Sequence, residues 1–177
     1  QPYNREVIYL LIDCYLDIDN PQAAERTVIK LVEKEPTGYP KFLDLVKVYL
    51  KAGDTDSAAR VLAMSAEHLL VGGQAKELEK WTDEILARNP EHLDALRLLI
   101  RLHGWQRDET RLKTTLERMA EAARSAEAVE DERYALSQLI MIAPHESAPA
   151  ERLQELNVLY GNSDVVYESP IIAPDFT

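Results

Sequence analysis

The chain has 177 residues, 46% of them hydrophobic and 29% charged, which is enough apolar surface for a core and too much for a disordered segment. A formal net charge of −11 disfavours DNA, RNA and anionic lipid, all of which are held by basic surfaces. Cys14 is the only cysteine, which excludes an intrachain disulfide and a cysteine-rich metal site.

Helix-breaking residues divide the rest. Nine prolines and six glycines bound segments of 12–20 residues with apolar side chains at three- and four-residue spacing. The spacing predicts nine helices in chain order, at about 4–17, 21–35, 40–52, 55–71, 74–88, 91–104, 108–126, 129–142 and 148–160. Asn20 caps the second helix ahead of Pro21, and Asp54 and Asp108 cap the fourth and seventh. Lys34-Glu35-Pro36, Gly53 and Arg88-Asn89-Pro90 are stop signals. Connections this short send neighbouring helices back antiparallel, as hairpins. Residues 161–177 are not helical, because Pro170 and Pro174 forbid it.

A period of 34 joins the first two hairpins. Ile8, Leu11, Tyr15, Ala24 and Val28 recur as Phe42, Leu45, Tyr49, Ala58 and Leu62. Large side chains on the first helix fill the groove left by the second, and a small alanine on the second lets the backbones approach. This pattern resembles the tetratricopeptide repeat family. Further readings run through Leu62, Ser65, Ala66, Leu69, Leu78, Thr82 and Pro90, and through Leu96, Leu99, Ile100, His103, Leu112 and Leu116. Where the family has a small residue after the leucine, this chain has Ile12, Val46 and Ile100. Leu45 and Leu99 are 54 residues apart, which is 34 plus 20, so one odd helix is inserted and the helix near 55–71 closes one hairpin and opens the next. The resemblance implies an all-α, right-handed superhelical solenoid of antiparallel hairpins. Residues 1–126 would be the repeats, 127–160 a degenerate capping pair, and 161–177 a tail.

Chemistry is sparse. None of the four histidines, His68, His92, His103 and His145, is spaced to share a metal with a second ligand. Cys14, between Ile12 and Tyr15, reads as a buried small hydrophobe without an assignable base. His103, at a family tyrosine position, reads as a packing residue. Gly72-Gly73 lacks the context of a phosphate loop. No catalysis, cofactor or metal is expected.

The resemblance implies instead a groove for a protein or peptide, lined by the first helices of successive hairpins. Carried onto this sequence, the groove set is Tyr9 and Asp13, then Leu43, Asp44 and Lys47, then Ala63, Met64 and Glu67, then Arg97, Leu98 and Arg101. Asp13 and Asp44 would repel a terminal carboxylate, so the family's chaperone-peptide clamp is disfavoured. Residues 97–118 hold six basic and three acidic side chains, against ten acidic and two basic in 127–177, so Arg97 and Arg101 suit an acidic segment. The apolar tail residues Val165, Val166, Tyr167, Ile171, Ile172 and Phe176 are expected to dock on a groove of this molecule or of a neighbour, a route to self-association. The alternatives are a structural spacer or oligomerisation module and, behind it, a small enzyme. No run of apolar residues is long enough for a membrane span, and no signal peptide is visible. A chain that starts at Gln1 reads as a fragment or a processed product. A single cysteine suits the cytoplasm, and the periplasm would tolerate it.

Overall fold

The computed structural model describes residues 3–162. The expectations placed on Val165–Phe176 therefore lie outside the described residues. Among the described residues the fold is all-α, with nine α-helices and no strand: α1 Arg5–Asp17, α2 Pro21–Lys34, α3 Pro40–Lys51, α4 Thr55–Val71, α5 Ala75–Arg88, α6 Leu93–Trp105, α7 Glu109–Ser125, α8 Val129–Ile142 and α9 Ala148–Tyr160. A single 3-10 turn at Pro36–Gly38 separates α2 from α3.

The starts follow from side chains that satisfy orphan N–H groups. Asn4, Asn20, Asp54 and Asp108 accept from Val7, Ala23, Ser57 and Arg111 at 3.3, 3.2, 3.0 and 3.0 Å. His92 Nδ1 accepts from Ala95 N at 3.3 Å, so α6 begins two residues later than the periodicity suggests.

The stops repeat one device. Five connections close with a Schellman turn, in which a residue at positive φ lets the following N–H reach back five residues. Those residues are Asp19, Gly53, Gly73, Arg107 and Glu127. The closing bonds run from Asn20 N to Tyr15 O, Asp54 N to Tyr49 O, Gln74 N to Leu69 O, Asp108 N to His103 O and Ala128 N to Ala123 O, at 2.7–3.0 Å. The other three connections each carry a proline, Pro36, Pro90 or Pro144, which cannot continue a helix.

This alternation corrects the reading of a 34-residue repeat with one inserted helix. α2, α5 and α8 start at 21, 75 and 129, and α4 and α7 at 55 and 109, so these elements recur every 54 residues, with α3, α6 and α9 within one residue of it at 40, 93 and 148. The unit is three helices, α1–α3, then α4–α6, then α7–α9. The 34-residue register of the first two hairpins is contained within it. Ala24, Ala58, Val28 and Leu62 are fully buried, as helix-pair close approach requires.

By compactness the chain divides at Arg88/Asn89, within the stretch expected to be continuous repeats, into units Gln1–Arg88 and Asn89–Thr177. In the first unit α4 packs against both α3 and α5, around Leu31, Leu45, Leu62, Leu69, Leu78 and Ile85. In the second, α7 packs against α6 and α8, around Leu96, Ile100, Leu102, Leu116 and Met119.

Cys14 is exposed, contrary to the expectation of a buried thiol. Its neighbour Ile12 takes the inward position on α1. At 100° per residue Cys14 lies 200° from Ile12, on the side that α2 does not cover.

Candidate functional site

In the first unit the side chains of α1, α3 and α5 form one connected face. Tyr9 of α1 has Arg5 and Lys41 near its ring, each cation 5.4 Å from the centroid. Lys41 Nζ donates to Asp13 at 3.1 Å and lies 3.5 Å from Asp44. Asp44 is 4.0 Å from Lys47, whose ammonium is 5.5 Å from the Trp81 ring centroid on α5. Lys80 approaches the same ring at 4.8 Å, and the indole N–H donates to Glu77 at 3.2 Å. The expected residues Tyr9, Asp13, Asp44 and Lys47 are thus brought together.

Leu43 is half-buried on α3. Met64 is half-buried and Glu67 exposed on α4, and no ion pair or ring contact ties Glu67 to this face. They were carried over on the reading that α4 is a first helix, whereas the third helix of the face is α5. Lys80 and Trp81 were missed for the same reason, whereas Lys41 was passed over on α3 itself, three residues before Asp44. The signal for them was a tryptophan set between Lys80 and, one turn earlier, Glu77.

Behind the face, α2, α3 and α4 are locked by a part-buried polar cluster. Glu25 accepts the Tyr49 hydroxyl at 2.7 Å and the guanidinium of Arg60, one arm of which is 3.2 Å away. Burial, with the adjacent Glu25 carboxylate, pushes the Tyr49 phenol up to about 12. Tyr39 stacks on His68 with centroids 5.4 Å apart and donates to Gln74 at 2.7 Å, which ties the start of α3 to the turn before α5.

In the second unit the guanidinium of Arg97 already holds a carboxylate. Its Nη2 and Nε donate to Asp131 Oδ1 at 2.6 and 3.2 Å, and its plane lies 4.2 Å from the Tyr134 centroid. Arg101, four residues further along α6, is half-buried. Leu98 is buried and presents nothing to a partner, because α6 is apolar around most of its circumference, burying Leu96, Leu98, Leu99, Ile100 and Leu102. This corrects its assignment to the groove. His103 is buried, as expected of a packing residue.

The outer edge of the second unit is held by ions. Arg152 of α9 grips the buried Glu132 of α8 at 2.7 and 3.3 Å. The guanidinium of Arg133, itself 2% exposed, donates to the Gly161 carbonyl that ends α9. Lys113 pairs with Glu146, which holds that carboxyl below the usual range. Of these, Arg152, Glu132 and Glu146 wall a shallow cleft of about 250 Å³ over Leu136, Leu139 and Pro149. Among the described residues there is no group of three or more His, Cys, Asp or Glu that could hold a metal ion, and no helix long and apolar enough to cross a membrane.

No protein-family model matches the chain, and no curated protein matches it. Among solved structures it is similar to a tetratricopeptide repeat protein from Parabacteroides merdae, at 16% identity and a TM-score of 0.31, over 88% of this chain and 73% of that one.

Proposed function

We propose that the chain is a non-catalytic protein-interaction scaffold that binds an extended acidic segment across the α1–α3–α5 face. The observation that carries this reading is Trp81, half-buried, with ammonium groups from two different helices, Lys47 and Lys80, over its ring. Tryptophan is enriched at binding hot spots because it offers a large, rigid apolar surface with one polar handle. Lys80 and Lys47, the latter 4.0 Å from Asp44, supply the charge that a carboxylate-bearing segment needs, while Lys41 is engaged by Asp13 and Asp44 and Tyr9 adds an aromatic surface on α1. In the second unit the Arg97 fork is occupied by Asp131 at 2.6 Å, a closer pairing than the 4.0 Å between Lys47 and Asp44, so the acidic-segment reading moves from Arg97 and Arg101 to Lys47 and Lys80.

The test uses Trp81 as its own reporter. With Trp105→Phe in place, Trp81 is the single indole. Titration with a Glu/Phe-rich peptide should change its emission saturably. Trp81→Ala or Lys47→Glu, scored by anisotropy of a labelled peptide, should weaken binding by at least about tenfold, as a hot-spot change does. Equal affinity for a Lys-rich peptide of the same length, or indifference to both substitutions, would sink the proposal.

A further inference from the structure

On α1 the residues Val7, Leu10, Leu11, Cys14 and Ile18 form an uncharged stripe open to solvent, with Leu10 65% and Ile18 68% exposed and Val7 56% and Leu11 40% exposed. Such a contiguous patch on one helix marks an interaction surface rather than scattered surface apolarity. The 54-residue recurrence says what it is shaped for. The counterparts of Val7 and Leu11 are Val61 and Ser65 on α4, and Thr115 and Met119 on α7, and all four are buried. α4 has α3 on one side and α5 on the other; α7 has α6 and α8. Among the described residues α1 packs on α2, the equivalent of α5 and α8, and its Val7–Ile18 side is exposed. The uncovered side is therefore the one that α3 and α6 close in the two later units.

We propose that this stripe docks an amphipathic partner helix of the α3 and α6 kind, with basic residues along one flank. The apolar requirement comes from Phe42, Val46 and Leu50 and from Leu96 and Ile100, which those helices bury. The basic requirement comes from Glu6, Asp13 and Asp17, which run along one edge of the stripe; Lys41 already neutralises Asp13, leaving Glu6 and Asp17 to attract a cation. A second copy fits worse. In an antiparallel two-fold pairing of α1 this acidic edge would face itself. Head-to-tail, the incoming helix would be α9, where Ala150 and Gln154 stand in place of Phe42 and Val46 and only Val158 matches Leu50, with Glu151 and Glu155 alongside.

Cys14 lies inside the stripe and is the only thiol in the chain, so its alkylation rate reads occupancy of this site and no other. The probe is an acetylated, amidated peptide copying residues 39–52, which carries Lys41, Lys47 and Lys51 against Asp44. The control copies residues 147–160, the α9 sequence. Saturating 39–52 peptide should slow maleimide labelling of Cys14 about tenfold, and Glu6→Lys with Asp17→Lys should weaken its binding about tenfold, while the control peptide leaves the rate unchanged. Because Cys14 lies about 140° from Tyr9, the α1 residue of the acidic-segment face, on the helix wheel, failure here leaves that face untouched. An unchanged labelling rate overturns the proposal. So does equal protection by the 147–160 peptide, or protection that rises with protein concentration alone, which would make a second copy the occupant.

Discussion

At the scale of single residues, the most consequential group is Tyr49. The sequence marks it as the 34-residue repeat of Tyr15, a packing position. The structure adds a chemical role, since its hydroxyl donates to Glu25, which also holds Arg60. A hydrogen bond to a charged acceptor contributes more than a neutral one, so Tyr49→Phe should cost about 2 kcal/mol in urea unfolding at neutral pH, with unchanged slope. The pH dependence has a definite sign. The folded phenol titrates near 12, above its ordinary value, so its stabilising contribution is complete below about pH 10, where the unfolded phenol is still protonated. It is lost as pH rises from there through 12, because the unfolded chain gives up that proton first. Stability of the wild-type chain should fall between pH 10 and 12 by more than that of Tyr49→Phe. Parallel curves for the two would remove Tyr49 from the alkaline transition.

At the scale of elements, the turns carry a prediction that no packing argument supplies. The positive-φ position of the five Schellman turns is glycine at Gly53 and Gly73 but Asp19, Arg107 and Glu127 elsewhere. A side chain with a Cβ is strained there, and Glu127 is exposed with no ion pair to lose. Glu127→Gly should therefore stabilise the chain by about 0.5–1 kcal/mol, and Gly53→Ala should destabilise it by a similar amount, read as shifts of the thermal midpoint. The helices themselves were legible because capping and proline signals are local: Asn20, Asp54 and Asp108 needed only the next three residues to be recognised. The 54-residue unit was not, because Tyr15/Tyr49 and Ala24/Ala58 give a stronger resemblance at 34 than the sequence gives at 54. Pro36, Pro90 and Pro144, with Leu45, Leu99 and Leu153, carry the longer period, and only the turn geometry makes them the matching ends of matching helices. The same gap explains the site. Tyr9, Asp13, Asp44 and Lys47 came from the family resemblance carried onto the helix faces, whereas Trp81 requires knowing that α5 follows α3 in the face. Cys14 was misplaced because burial on α1 depends on which of its sides a neighbouring helix covers, which no local pattern reports.

At the scale of the whole molecule, charge sets the response to solution conditions. A net charge of −11 at pH 7 repels itself in the compact state, and the repulsion weakens as pH approaches the isoelectric region near 4.8. Individual carboxylates act the other way. Asp54 is held below the ordinary range by its hydrogen bonds to Ser57, and Glu146 by its bond to Lys113. A depressed folded-state pKa gives stability that is present above the unfolded value near 4 and lost as pH falls through the folded one. The two effects occupy different windows, so stability at low salt should rise modestly from pH 7 to about 5 and then fall steeply below about 4. Salt separates them. Screening at about 0.3 M NaCl should raise the midpoint at pH 7 and flatten the gain between pH 7 and 5, because the repulsion acts between exposed charges beyond the Debye length. The acid limb should persist in salt, since the Asp54 cap is a short-range hydrogen bond rather than a long-range field. Replacing Asp54 by Asn, which caps without titrating, should shift that limb to lower pH while leaving the salt response at pH 7 unchanged. A chain whose stability falls monotonically from pH 7 downward at low salt would show that specific carboxylates, not net charge, govern it throughout.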